Sequence, residues 1–230
     1  MNFFSQFVFG FMLAQVVPGL ICTFFLFFLS VGWKIITTGK QVGYSDYLAQ
    51  HAQNLAMYPS WLFCLFIGAT CLGVLIHWFN WMIVARLEQR SNSLGTPGLE
   101  NIPWHRRSIT VQIVMWPIDL VRELLLLFLG TPNFEKTVRL EKRARVSPDR
   151  FPALARIEDF YLPFAQFLTN LSWALIPAFF SIFLVFTYSG FTPRRLLFAI
   201  GCYLVIGATR VLARHQLITL DLTERELLKG

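Results

Sequence analysis

Charge is scarce in this 230-residue chain. Only 14% of its residues are Asp, Glu, Lys or Arg, against about 25% in an average soluble domain. A water-soluble fold of this length needs one ordinary core, and 55% hydrophobic residues with a mean hydropathy of +0.54 far exceed that need. A soluble globule is excluded. No charged residue lies between Met1 and Lys34, so the basic leader of a cleaved signal peptide is missing. Ser30-Val31-Gly32 is a poor cleavage site, and Gly19-Leu20-Ile21-Cys22 fails as a lipoprotein site because Ile21 is too bulky beside the cysteine.

Cysteine is equally sparse. Cys22, Cys64, Cys71 and Cys202 all sit inside apolar runs, with no Cys-x-x-Cys pair. Cys64 and Cys71, seven apart on one helix, are too distant for a disulfide. All four read as small buried packing residues, not as metal ligands or redox centres. Catalytic signatures are missing too: there is no His-Glu-x-x-His, no Gly-x-Ser-x-Gly, no P-loop and no dinucleotide-binding glycine pattern. The apolar spans hold no Asp, Glu or Lys before their ends, whereas a membrane-embedded enzyme needs several convergent acids, histidines or a nucleophile–base pair. No catalytic residue, cofactor or metal site is expected. The net charge of +7 comes without a nucleic-acid-binding signature, and excess Lys and Arg is ordinary in cytoplasmic loops of membrane proteins. No internal repeat supports an inverted-repeat transporter.

What is abundant is apolar bulk, including 24 Phe and 7 Trp, which suits a lipid-facing surface with aromatic interfacial anchors. The pattern predicts an all-α, polytopic membrane protein with four transmembrane helices, an amphipathic interfacial helix and a small cytoplasmic helical module. Residues 1–85 hold spans one (about Phe7 to Trp33, bent at Pro18-Gly19) and two (about Tyr58 to Ile83), joined by the short polar connection Lys34–Met57. Small residues at Cys64, Gly68, Ala69 and Gly73 offer a face for close helix approach on span two. Residues 86–159 form the module. In it, Thr131-Pro132 starts a short helix with Glu135–Arg139 and Glu141–Arg145 pairs, which Ser147-Pro148 ends. Residues 160–213 hold spans three and four (about Phe160 to Tyr188 and Leu196 to Leu212), and 214–230 form a cytoplasmic tail.

Ser108 to Leu129 is the ambiguous stretch, apolar enough to span yet carrying Asp119, Arg122 and Glu123 near its middle. At about 100° per residue these three share one narrow arc with Ser108 and Gln112, and everything opposite is apolar. That describes an amphipathic helix, 108–129, lying in the interface or packed beneath the bundle. Three ionisable groups mid-bilayer are costly without partners. Charge distribution gives a second test. With four spans, the segment after span two holds 12 basic residues and the end of span four with its tail holds 4 (Arg210, Arg214, Arg225 and Lys229), against 2 in Lys34–Met57 and 2 at Arg194–Arg195. The split is 16 to 4. A fifth span would make it 13 to 6 and leave Arg122 in hydrocarbon. Four spans with both termini cytoplasmic are expected, in a bacterial-type inner (cytoplasmic) membrane.

Three groups of residues are candidate sites. Gln15, His77, Asn80, Gln166 and Asn170 lie at similar depth in the inner half of the bilayer, as interhelical hydrogen-bonding glue or as a ligand or gating site. Within that group Gln15 and Asn170 are expected to be neighbours. Asn170-Leu171-Ser172 matches a glycosylation sequon but falls inside a span. Trp104, His105, Arg106 and Arg107 precede the amphipathic helix, either as contacts to anionic lipid phosphates or as an ordinary basic flank. Asp119, Arg122 and Glu123 form an interfacial charged stripe. The function expected is interaction, as a scaffold, accessory subunit or membrane-anchored sensor with a cytoplasmic working surface. Its partners would be the bilayer, acidic lipid headgroups and a protein or a second copy, with no nucleic acid. An oligomeric pore is the alternative, and a membrane-embedded enzyme acting on lipid comes third.

Overall fold

A computed structural model describes residues 10–39, 59–93, 98–128, 161–189 and 192–228, together with positions 46, 49, 52, 53, 149, 152 and 153. Every regular element among the described residues is helical. A π-helical turn, Met12–Val16, leads into α1 (Val17–Thr38). Helix α2 (Pro59–Ser93) follows, then a 3-10 turn at Leu99–Asn101 and α3 (Ile109–Leu127). The third apolar stretch is two helices, α4 (Leu162–Ala174) and α5 (Ile176–Ser189), and the last is α6 (Pro193–Leu228). Among the described residues, four stretches are long and apolar enough to cross a bilayer: Met12–Thr38, Ser60–Arg90, Leu162–Ile182 and Leu196–Glu226. The protein is a multi-pass transmembrane protein. Most of the connection Lys34–Met57 and the helix expected between Thr131 and Pro148 lie outside the described residues.

Helix α1 packs on α2, α4 and α5, and α6 closes the bundle against α4 and α5. The α1–α2 crossing depends on two glycines. A Cβ on Gly73 would stand 2.0 Å from the Gln15 carbonyl oxygen, and one on Gly19 would stand 2.0 Å from that of Ala69. The small-residue face expected on span two is therefore used at Ala69 and Gly73, but not at Gly68, which has nothing within 4 Å. Cys64 and Cys71 are exposed rather than buried; they sit on the outward side of α2.

Proline decides where backbone carbonyls are left over, because it has no N–H to give the residue four back. Pro18 leaves Ala14 without a helical donor, and the irregularity appears as the π turn, one turn before the bend expected at Pro18-Gly19. Pro177 sits at the break between α4 and α5. Helix α3 runs unbroken through Pro117, which frees the Ile113 carbonyl. That carbonyl lies against Gly207 of α6, where a Cβ would come within 2.5 Å, and the Tyr203 hydroxyl donates to the neighbouring Val114 carbonyl. In lipid such groups must be satisfied by neighbouring helices.

Helices α2 and α6, with 35 and 36 residues, are each about 50 Å long at the α-helical rise, while hydrocarbon is about 30 Å thick. Span four and the tail, expected as separate pieces, are one continuous helix. The surplus length meets at one end. There Ile83 and Leu87 of α2, Leu99, Ile102 and Trp104 of the connection, and Leu126 of α3 form a small core, with Leu217 and Ile218 of α6 and Trp173 of α4 packed against it.

Candidate functional site

Buried charge is concentrated where α3 meets α6. Glu123 projects from α3 and is 2% exposed. Its Oε2 accepts from Arg210 Nη2 and from Arg214 Nη2, each at 2.6 Å, and its Oε1 accepts from Arg214 Nε at 3.0 Å. The two arginines are four apart, so one turn of α6 presents both to a single carboxylate. Burial pushes the Glu123 carboxyl up, but the adjacent guanidiniums more than offset this and hold it below the ordinary carboxylate range. The three side chains are paired with one another. Arg210 also stacks over the Trp173 ring, 5.1 Å from its centroid, which ties α4 to the same group.

One turn back on α3, Asp119 accepts from Arg107 Nη1 at 3.3 Å and from Arg122 Nη1 at 3.1 Å. Burial nevertheless raises its carboxyl above the usual value. Gln112, on the same face, donates to the His105 carbonyl at 3.1 Å and to the Arg107 carbonyl at 2.7 Å, folding the connection back onto α3. The Ser108 hydroxyl caps the helix by accepting from the Val111 N–H. His105 is buried with its Nδ1 3.0 Å from the Leu99 carbonyl, so Nδ1 carries the proton and donates. Burial and the nearby Arg214 hold the His105 pKa down to about 4, so the ring is neutral near pH 7. Leu99 in turn donates its N–H to Asp221 of α6 at 3.3 Å, and Arg225 bridges Asp221 and Glu100.

A second polar group lies between α2, α4 and α6. Asn170 is fully buried. Its amide nitrogen donates to the Ala14 carbonyl, the acceptor that Pro18 leaves over, and to His77 Nδ1 at 3.2 Å. His77, Asn80 and Gln166 line a cavity of about 30 Å³ with Glu88, Thr169, Asp221 and Glu224. A cavity that size holds one or two waters.

Of the five intramembrane polar candidates, the structure brings His77, Asn80 and Gln166 into one cavity and puts Asn170 on His77. The pairing of Gln15 with Asn170 is replaced by a bond to the backbone of the preceding residue, because a proline-freed carbonyl is the better acceptor. Trp104 and His105 are buried, so neither is laid open on the surface beside Arg106. Arg106 is exposed and bonded to Asn101, while Arg107 reaches Asp119. In the charged stripe Asp119 and Glu123 point into the protein and only Arg122 stays partly exposed. The opposite face of α3 exposes Ile109, Val114, Ile118, Val121, Leu125 and Phe128. Sequence reading missed Arg210 and Arg214, which it counted only as basic flank. Their four-residue spacing, and the need of Glu123 for a buried partner, were the available signal. Comparison of the chain with protein-family models, curated proteins and solved structures returns no match.

Proposed function

We infer that the protein acts by interaction, through a working surface on the cytoplasmic side of a bacterial-type inner membrane. The observation that carries this is the construction of the polar end. Residues 98–128 are fastened to the projecting ends of α2 and α6 by a separate small core and by the Glu123–Arg210–Arg214 triad. A rigid platform beyond the span ends is what a scaffold, accessory subunit or sensor requires. The aliphatic face of α3 would meet lipid at the inner interface, with its charged face covered by α6. An oligomeric pore would need the Asn170 face turned towards a shared lumen, and burial of Asn170 within one chain weighs against it.

A photo-reactive side chain at Arg106, exposed on the platform, tests the reading, with Leu197, exposed on α6 among apolar neighbours, as the control. The expected outcome in intact membranes is a discrete protein adduct at 106 that disappears when Glu123→Ala unlatches the platform, and lipid adducts alone at 197. No protein adduct at 106, or the same adducts at both positions, would refute the assignment. Single-channel conductance of the purified protein would favour the pore instead.

A further inference from the structure

Of the buried polar atoms without a hydrogen-bond partner among the described residues, five stand together: Nη1 of Arg210, Nη1 of Arg214, Nε1 of Trp104, Nε1 of Trp116 and Nε2 of His105. All five residues line one crevice of about 20 Å³ between α3 and α6. Both arginines are more than nine-tenths buried. Glu123 occupies Nη2 of each and Nε of Arg214, so one arm of each guanidinium is left for something else. Guanidinium and indole nitrogens only donate. No choice of amide orientation or tautomer converts these four into acceptors, and unpaired buried donors are costly.

The charge agrees with the geometry. Arg107, Arg122, Arg210 and Arg214 stand against two carboxylates, Asp119 and Glu123, so the cluster carries surplus positive charge. His105 adds a different function. With Nδ1–H committed to the Leu99 carbonyl, its Nε2 is an acceptor that waits for a hydroxyl.

We propose that this crevice binds a phosphate-type oxyanion, with one oxygen between Arg210 and Arg214 and the body of the group at the mouth beside Arg107 and Arg122. Room for about one oxygen-sized group admits a phosphoryl oxygen and keeps the remainder outside. The entering oxygen, as the P–OH of a singly protonated phosphate, accepts from the arginine and indole donors nearest it and donates its hydrogen to His105. A carboxylate offers acceptors alone. Charge-assisted bonds to guanidinium are the strong kind, and basic pockets between transmembrane helices take acidic headgroups. Two sources share this chemistry: a phosphomonoester lipid headgroup arriving along the aliphatic face of α3, and a phosphate free in water.

The inference rests on the polar end being the working surface. Adduct formation at position 106 and anion binding are separate readouts, however, and either can fail alone. The full-length protein would be placed in phosphatidylcholine nanodiscs and its thermal midpoint followed as inorganic phosphate is added. A second arm would use nanodiscs containing phosphatidic acid, with retained lipid weighed by native mass spectrometry. Arg210→Lys and Arg214→Lys keep a cation opposite Glu123 but remove the second arm. Trp116→Phe removes the indole donor while keeping a ring against Phe179 and Tyr203. Binding is expected in at least one arm, and the arm that responds identifies the source. Each lysine variant should weaken it roughly tenfold, in keeping with loss of a charge-assisted bond, and Arg194→Gln, exposed at the other end of α6, should leave it unchanged. If the lysine variants do not fold, Trp116→Phe decides: weaker binding supports the site and undiminished binding removes it. Absence of binding in both arms, or equal binding by all variants, overturns the proposal.

Discussion

Glu123 has both oxygens occupied by guanidinium groups in a site that excludes solvent, so its removal does more than delete hydrogen bonds. Glu123→Ala leaves two buried cations facing each other and should cost on the order of 3–5 kcal/mol, seen as a lower melting midpoint in detergent and reduced membrane abundance. Replacing the whole triad (Glu123→Leu with Arg210→Met and Arg214→Met) should recover most of that loss, because an apolar set needs no pairing. A triple variant as unstable as the single one would contradict this. His105 sets a pH dependence of definite sign. Its folded pKa of about 4 lies below the value of 6.5 for the free side chain, so the unfolded chain binds the extra proton in between. Stability from this residue is fully present above about pH 6.5 and is lost as pH falls towards 4, by roughly 3 kcal/mol. His105→Asn, which keeps a donor for the Leu99 carbonyl, should flatten that part of the profile in pH-dependent melting. An unchanged slope would mean that other groups carry the acid sensitivity.

At the scale of the element, close helix approach rests on glycines whose hydrogens face a carbonyl. Gly73→Ala places a methyl group 2.0 Å from the Gln15 carbonyl, and Gly207→Ala places one 2.5 Å from that of Ile113. Neither neighbour is a flexible side chain, so the helices must separate, at a cost of about 1–3 kcal/mol. Gly68→Ala and Gly201→Ala, with nothing within 4 Å, should melt like the parent protein. Equal midpoints for all four variants would refute the crossings. Proline and glycine also work together here. Pro117 of α3 frees the Ile113 carbonyl at the point where Gly207 lets α6 approach, and Pro18 frees the Ala14 carbonyl that Asn170 takes. Each proline thus gives a neighbouring helix a place to dock.

For the whole molecule, the distribution of basic residues sets the expected direction across the membrane. Sixteen of the 20 Lys and Arg fall on the side of the α2 and α6 C-terminal ends when four spans are counted. Reporter fusions at Gly43 and Gly230 should therefore give opposite signals, with Gly230 cytoplasmic. Matching signals would sink the four-span topology. Arg122, Arg210 and Arg214 complicate the count, since two of them are consumed by Glu123 and one by Asp119. Their contribution to orientation is smaller than their number suggests, and the connection 86–107 and the segment 136–156 carry the bias.

Membrane residence, four spans and the apolar face of α3 were legible in the sequence, because each follows from hydropathy and helical period, which are local properties. The charged arc of Asp119, Arg122 and Glu123 was legible for the same reason, as was the need for something to cover it. What covers it was not. Arg210 and Arg214 lie 87 and 91 residues from Glu123, and no local pattern chooses between two guanidiniums from the same chain and the headgroup layer. The inward turn of Trp104 and His105, the Asn170 bond to Ala14 and the two glycine crossings are likewise decided by which helices come to lie together. Local sequence specifies where a polar or small residue stands on its helix. Only packing specifies what stands opposite, and in a medium without water every buried donor and carbonyl depends on that answer.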